Sequence, residues 1–429
     1  MDASVSAKTT ANTFETDARA IVTAKYVRAA GTNDVVAGVQ PGFVVEPGSE
    51  QELAKVLKLA NAAGLAVIPR GGGTKLEWGN RPERADAILS TARLHRVIEH
   101  AWADLTVSVE AGCTIGKLQE TLAKHGQRLA LDALWPEHAT VGGVLSTNDS
   151  GALRLRFGSL RDLVIGVTLA LADGTLASSG GRVVKNVAGY DLPKLATGAL
   201  GTLGVITRAF FRLHPLPKET RTISCATTDV RDAQRLTLSI QNSKLAHSAL
   251  QIRSGAEIQP RVDVLFEGTE AGLTAQLERL KLMMSAEPVA GYGRRVWSAR
   301  QEICSADNKG AAEFAVAKFA TLPALIADTV DTIARLAAAE ARWTVVAQAT
   351  GIGWVRLEGN GQVVESVLRE LRAELERSGG SLVIVHRPAG MAELDAWGNA
   401  GDALPLMNAV KWQFDPGRTL NPGRFVGGI

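Results

Sequence analysis

Residues 140–174 read TVGGVLSTNDSGALRLRFGSLRDLVIGVTLALADG, residues 185–207 read KNVAGYDLPKLATGALGTLGVIT, and an earlier PRGGGTK occupies Pro69 to Lys75. Glycine lacks a Cβ, so the run Gly71-Gly72-Gly73 lets main-chain N–H groups approach an oxyanion closely, in the manner of an anion-binding nest. Arg70 and Lys75 add positive charge to this first cradle. Thr140 can cap a helix whose first turn holds Gly142 and Gly143, which leaves free N–H groups and the positive end of the helix dipole open to phosphate. A third cradle, Gly198 to Gly204, precedes the β-rich run Val205 to Leu213. Three such stretches together predict a large anionic ligand carrying a diphosphate.

Around these stretches the local pattern is that of a mixed α and β chain. Phe43-Val44-Val45 is an extended run, and Ser49 with Glu52 forms a capping box worth ~1 kcal/mol. Leu53, Val56, Leu57 and Ala60 then share one helical face, Gly64 suits the residue after the helix, and Ala66-Val67-Ile68 begins the next strand. Leu105, Val107 and Val109 alternate as a strand from Asp104 to Val109, and Thr114 opens a helix with Ile115, Leu118 and Leu122 inward before Gly126. Leu129 to Asp132 reads as another strand. Val164 to Leu171 reads as a strand ending at an Asp173-Gly174 turn.

A chain of 429 residues exceeds what one hydrophobic core supports, so two domains are expected. With 47 basic and 44 acidic side chains there is no nucleic-acid footprint. The N-terminal MDASVSAKTTANTFETD lacks a basic stretch followed by an apolar one, and no window approaches eighteen apolar residues. The cytoplasm is the expected compartment. Cys113, Cys225 and Cys304 lie far apart, so they read as buried small side chains and not as an iron–sulfur or zinc site. No metal site is expected. Two common nucleotide motifs fail: a dinucleotide fingerprint after Gly71 and Gly73 needs glycine where Leu76 stands, and Gly112 to Gly116-Lys117 is one residue short of a Walker A loop.

In order, R-G-G-G-T (Arg70 to Thr74), A-T-V-G-G (Ala139 to Gly143), R-x-G-x-x-R-D (Arg156 to Asp162), K-N-x-x-G-Y-D-L-x-K-L (Lys185 to Leu195) and G-T-L-G-V-I-T (Gly201 to Thr207) resemble the FAD-binding family of vanillyl-alcohol oxidase and p-cresol methylhydroxylase. The C-terminal FDPGRTLNPGRF, Phe414 to Phe425, looks like the segment that returns to the flavin in the branch oxidising α-hydroxy acids. Within that branch the chain is most similar to the FAD-binding E-type subunit of glycolate oxidase. The resemblance implies an α+β fold: a two-subdomain FAD-binding domain over residues 36–217, after an N-terminal segment 1–35, then an antiparallel-sheet α/β cap domain over 218–405 and a C-terminal segment 406–429.

It further implies that Pro69, Arg70, Gly71, Gly72, Gly73, Thr74 and Lys75 hold one side of the FAD pyrophosphate. Pro136, Ala139, Thr140, Gly142, Gly143, Ser146, Thr147, Asn148 and Gly151 would line the other side, Gly204, Val205 and Ile206 the adenine-side edge, and Asn421 the isoalloxazine. Covalent attachment in this superfamily often uses a histidine in the first glycine loop. Thr74 stands there and no histidine precedes His95, so FAD is expected to be non-covalent.

Between Pro217 and Pro405 two βαββα halves can be traced. The first comprises Thr222 to Thr227, Arg231 to Gln241, Leu250 to Arg253, Val262 to Glu267 and Ala271 to Met284. The second comprises Phe314 to Ala320, Leu322 to Ala338, Thr344 to Thr350, Trp354 to Glu358 and Val363 to Arg377. A small 2-hydroxy acid needs a cation for its carboxylate and a base for its hydroxyl, for which Arg253, Arg300, Lys318, His386 and Arg387 are candidates and the catalytic residue is otherwise unknown. Catalytic members of the branch carry H-G-x-x-G-D-G-N-x-H near the C-terminus, whereas Ser381 to Ile429 holds only His386. Either the chain oxidises glycolate itself, or it is an electron-relay or assembly subunit beside a catalytic flavin subunit and an iron–sulfur subunit. The missing motif favours the second role, with a stand-alone FAD-dependent D-2-hydroxy-acid dehydrogenase as the alternative.

Overall fold

The computed structural model describes residues 3–181, 190–284, 289–290, 293–305, 313–391 and 393–429. Lys185 to Gly189 of the K-N-x-x-G motif lie outside them. The chain divides into one unit of Met1–Asp149, Leu160–Pro215 and Ala400–Ile429, and a second of Ser150–Ser159 and Leu216–Asn399.

In the first unit, strands Val27–Ala29 (β1), Phe43–Val45 (β2), Val67–Arg70 (β3) and Ala87–Ser90 (β4) form a sheet in the order β1-β2-β4-β3, parallel except at β1. Helix Ala3–Val22 (α1) precedes it, and helix Glu50–Ala62 (α2) crosses from β2 to β3. Ser49 Oγ accepts the Glu52 amide at 3.1 Å and Gly64 turns the chain out with φ +66°, the start and stop expected from the sequence. Phe14, Ala18 and Val22 of α1 and Leu53, Val56, Leu57 and Ala60 of α2 pack with Val45, Val67 and Leu89 of the sheet. Burial of each larger side chain stabilises by about 1.5–3 kcal/mol.

Strands Val97–Ala101 (β5), Thr106–Glu110 (β6), Val164–Ala170 (β7), Leu176–Gly180 (β8) and Val205–Arg212 (β9) make an antiparallel sheet in the order β5-β6-β9-β7-β8. Helices Ile115–Ala123 (α3) and Val141–Thr147 (α4) cover its apolar face through Ile115, Leu118, Leu122, Val141 and Val144. A short helix, Leu192–Ala196 (α5), precedes the third glycine stretch. Two expectations fail here. Leu105 adopts left-handed φ 52°, which cannot continue a strand, so β6 starts at Thr106, two residues after the expected Asp104. Residues 129–132 are irregular; Gln127–Arg128 pairs with His214–Pro215 instead.

The second unit is built on one eight-stranded antiparallel sheet. Its strands are Glu219–Ala226 (β10), His247–Gly255 (β11), Ile258–Gly268 (β12), Val289–Ala290 (β13), Phe314–Ala320 (β14), Ala341–Gln348 (β15), Ile352–Gly359 (β16) and Ser381–His386 (β17), in the order β13-β10-β12-β11-β15-β16-β14-β17. Helices Val230–Gln241 (α6), Glu270–Lys281 (α7), Ala299–Cys304 (α8), Ile326–Ala337 (α9) and Gly361–Arg377 (α10) complete it. Each half therefore reads βαββαβ, one strand more than expected, because β13 pairs with β10 and β17 with β14. The halves join through β11 and β15. Ile223, Val264, Ile252, Val345, Val355 and Phe319 bury one sheet face under α6, α7, α9 and α10. The other face carries Ser224, Asp263, Gln251, Arg253, Trp354 and Arg356.

The chain returns to the first unit as helix Leu404–Phe414 (α11). Leu420 then pairs in parallel with Val67, so the C-terminal segment lies along β3.

Candidate functional site

A cleft of about 690 Å³ opens in the first unit where the three glycine stretches and the C-terminal segment meet. Pro69, Arg70, Gly71, Gly72, Gly73, Thr74, Lys75, Thr140, Gly142, Gly143, Ser146, Thr147, Gly204, Val205, Ile206 and Asn421 all line it. Leu76, Thr91, Leu200, Gly201 and Arg424 line it too and were not anticipated. Pro136, Ala139, Asn148 and Gly151 do not. Pro136 and Ala139 spend their carbonyls on the Gly116 and Ile115 amides, and Asn148 ends α4 in a left-handed conformation. Gly151 belongs to the second unit.

The amides decide where an anion can sit. Strand β3 ends at Arg70, and no acceptor within the described chain receives the N–H groups of Gly71, Gly72, Gly73 or Thr74. Gly201 and Gly204 likewise leave their amides unmatched. The helix α4 differs from expectation. Its first-turn amides are consumed: Val141 donates to Cys113 O at 2.9 Å, Gly142 to Ala111 O at 2.8 Å, and Gly143 to Thr140 Oγ1 at 3.4 Å. The helix end therefore offers a wall and not a phosphate cradle, and the unmatched donors come from the first and third stretches. The first stretch needs glycine because it packs on the second: a Cβ at Gly72 would lie 1.8 Å from His138 O, and one at Gly71 2.0 Å from Thr140 Oγ1.

Charge follows a similar logic. Arg70, Lys75 and Arg424 line the cleft, and no carboxylate does. Arg70 Nη1 is 2.7 Å from Asp34 Oδ1, and Arg28 bonds the same carboxylate at 2.6 Å. Lys75 Nζ lies 3.2 Å from the fully buried Asp149, between the rings of Trp78 and Trp135. Hydrogen bonds from Arg28, then Arg70, hold the Asp34 carboxyl well below the usual carboxylate range against the opposing effect of burial. The unfolded carboxyl, near ~3.9, takes up its proton first, so stability from Asp34 is present above pH ~4 and is lost as pH falls toward the folded value. Asp34→Asn is expected to flatten this acid limb, which thermal melts from pH 3 to 7 would read.

The fourth wall is held by buried polar contacts. Lys411 Nζ on α11 reaches Asp415 Oδ2 at 2.6 Å, Thr202 O at 2.7 Å and Leu420 O at 3.0 Å. Asp415 in turn accepts the Thr419 and Leu420 amides at 3.0 and 2.8 Å. Val67 donates to Thr419 O and receives the Asn421 amide. The Asn421 amide group then donates to Leu200 O at 2.6 Å. Burial pulls the Lys411 ammonium below its ordinary value, partly offset by Asp415.

FAD fits this donor set: unmatched amides and cations suit its diphosphate, and Ser146 adds a hydroxyl with no partner among the described residues. The residues lining the cleft include no histidine, cysteine or tyrosine.

The five catalytic candidates lie in the second unit. Asp263, fully buried, grips Arg253 at Nε (2.5 Å) and Nη2 (2.9 Å). Arg300 and Lys318 flank the Trp354 ring at 5.5 and 5.8 Å. His386 stacks on Phe314 at 4.3 Å, and Arg387 donates to Leu394 O. The segment around α8 crosses this polar sheet face: Trp297 Nε1 donates to Thr222 Oγ1, Gln251 to Val296 O, and Arg356 to the Ile303 and Ser305 carbonyls. Among the described residues no cluster of three or more His, Cys, Asp or Glu could hold a metal, and no helix is long and apolar enough to cross a membrane. Burial pushes the Cys225 thiol up to about 12 and also raises that of Cys113.

Residues 41–180 match an FAD binding domain. The structure of p-cresol methylhydroxylase with substrate bound superposes with a TM-score of 0.75 over 96% of both chains at 15% identity. The chain carries an FAD-binding domain of the p-cresol methylhydroxylase type. Among curated proteins, the mitochondrial D-lactate dehydrogenase (cytochrome) of Arabidopsis thaliana is 30% identical over 61% of this chain and 50% of its own length. Glycolate oxidase subunit GlcD of Bacillus subtilis is 27% identical over 58% of this chain and 52% of its own. The chain thus spans about half the length of these relatives. The first unit holds the cleft and the second is built on an antiparallel sheet, the α+β organisation expected from the resemblance.

Proposed function

We propose that the chain is the FAD-binding, E-type subunit of a glycolate oxidase complex, holding FAD without a covalent bond beside a catalytic flavin subunit and an iron–sulfur subunit. The complex oxidises glycolate to glyoxylate, in the cytoplasm or at the inner membrane face reached through its partners. The observation that carries the FAD part is the row of unmatched amides from Gly71 to Thr74 in a cleft without carboxylates. FAD performs the hydride chemistry, and the residues of the cleft supply binding, orientation and electrostatics. Non-covalent binding is supported by a cleft lining that includes no histidine, cysteine or tyrosine. Acid precipitation is expected to release the whole flavin into the supernatant; colour retained in the pellet would refute this.

A relay or assembly role is supported by the second unit, whose candidate cations face internal partners: Asp263 for Arg253, Trp354 for Arg300 and Lys318. Mixing glycolate with the isolated, FAD-loaded chain is expected to leave the flavin oxidised, with bleaching only after the related flavin subunit is added. Rapid bleaching of the isolated chain would overturn that role. A second reading, a stand-alone D-2-hydroxy-acid dehydrogenase, is favoured by relatives named as D-lactate dehydrogenases, and full turnover without partners would establish it.

A further inference from the structure

We propose that Asp34 is a positioning residue that aims Arg70 at the ligand's diphosphate. This rests on the FAD reading of the cleft and deepens it, because the resemblance assigned Arg70 without saying what holds its guanidinium. Asp34 stands 36 residues before Arg70, closes the short helical turn Thr32–Asp34 and is only 3% exposed. Its carboxylate is oriented independently of Arg70. Arg28 donates to both oxygens, Nη1 to Oδ2 at 2.6 Å and Nη2 to Oδ1 at 2.9 Å, and the Gly31 amide donates to Oδ2 at 2.7 Å.

Arg70 is then fixed at both ends. Its carbonyl accepts the Thr91 amide at 2.8 Å, and Nη1 donates to Asp34 Oδ1 at 2.7 Å. The side chain runs beside the glycine loop, since a Cβ at Gly73 would lie 4.0 Å from Arg70 Cδ. Nε and Nη2 have no partner among the described residues, and the arginine lines the same cleft as the unmatched amides of Gly71 to Thr74. A guanidinium held on one nitrogen by a carboxylate presents the rest of its planar fork in one orientation. That geometry suits a phosphate, and binding then does not have to order a long side chain. Asp34 does not line the cleft, so it acts through Arg70. Positioning and plain charge predict opposite signs: removing a carboxylate near an anion site strengthens anion binding by Coulomb attraction alone, whereas freeing Arg70 weakens it.

The test uses the full chain freed of flavin and reads ADP affinity by calorimetry, below the melting range, for wild type, Asp34→Ala, Arg70→Lys, Arg70→Met and Asp34→Ala combined with Arg70→Met. Asp34→Ala is expected to bind ADP about tenfold more weakly or worse. Affinity equal to wild type, or tighter, overturns the inference. Arg70→Lys keeps the charge but has one nitrogen to divide between Asp34 and phosphate, so a loss of about tenfold is expected there too. Wild-type affinity in Arg70→Lys overturns the inference, and this variant decides the question if Asp34→Ala does not fold. On the Arg70→Met background, Asp34→Ala is expected to cause no further loss. An equal loss on both backgrounds shows Asp34 acting other than through Arg70 and also overturns it. Wild type that takes up neither ADP nor FAD would instead refute the cofactor reading itself.

Discussion

Gly143→Glu is expected to give a folded, colourless protein. A Cβ at Gly143 meets only Thr140 Oγ1, at 3.3 Å, so the backbone of α4 accommodates a side chain with little displacement. The residue lines the cleft, and a carboxylate there would face a cofactor carrying two phosphate charges. At ~4 Å and an effective dielectric of ~20, one like-charge contact costs about 4 kcal/mol, roughly a thousandfold in affinity. The melting temperature of the flavin-free variant should match that of flavin-free wild type, and stoichiometric FAD in the purified variant would displace the cofactor from this cleft. Gly72→Val is expected to lose flavin for a different reason. Its side chain would collide with His138 O, so the loop itself must move and the melting temperature must fall with FAD binding. The two variants together separate a blocked cleft from a broken one.

The second large effect is expected at Asp415. Asp415→Ala removes the carboxylate from the buried Lys411 ammonium and leaves the Thr419 and Leu420 amides without their acceptor. Breaking such a buried pair costs about 3–5 kcal/mol. A unit of this size shifts its melting temperature by ~2–4 °C per kcal/mol, which gives a fall of about 6–20 °C. Because Lys411 also holds Thr202 O and Leu420 O, both the third glycine stretch and the Asn421 wall should loosen, and FAD affinity should fall with stability. Adding Lys411→Met to Asp415→Ala is expected to recover only part of the loss. It removes the uncompensated charge but cannot restore an acceptor to the two amides. A single variant as stable as wild type would show that the Lys411–Asp415 knot does not hold the wall.

Much of the architecture was legible because it is encoded locally. Ser49, Thr114 and Thr140 each cap a helix through the amide three residues on, and glycine marks where α2 stops. The three glycine stretches that meet at the cleft were legible as well, since close backbone approach demands glycine there, whereas the C-terminal segment was legible only through the resemblance. What the residues could not disclose was the partner of each polar group. The α4 amides look free in sequence, and only the approach of Ala111 and Cys113, some 30 residues upstream, consumes them. Arg70 and Lys75 read as open cations, yet Asp34 and Asp149 face them from distant positions in the chain. Arg424 was passed over because N-P-G-R carries no periodic signal, and its burial depends on carbonyls near residue 77. Strand β17 escaped notice for a related reason: Leu382 and Ile384 alternate over too short a run to stand out from a loop.

The contribution of Leu420 to the edge of β3 has a bearing on biosynthesis. A ribosome that has released only the first three glycine stretches presents amides for a diphosphate but no Asn421, no Arg424 and no lysine clasp on Thr202. A chain truncated before Asn421 is therefore expected to lose one wall of the cleft and to be purified without colour, which its absorbance spectrum would read.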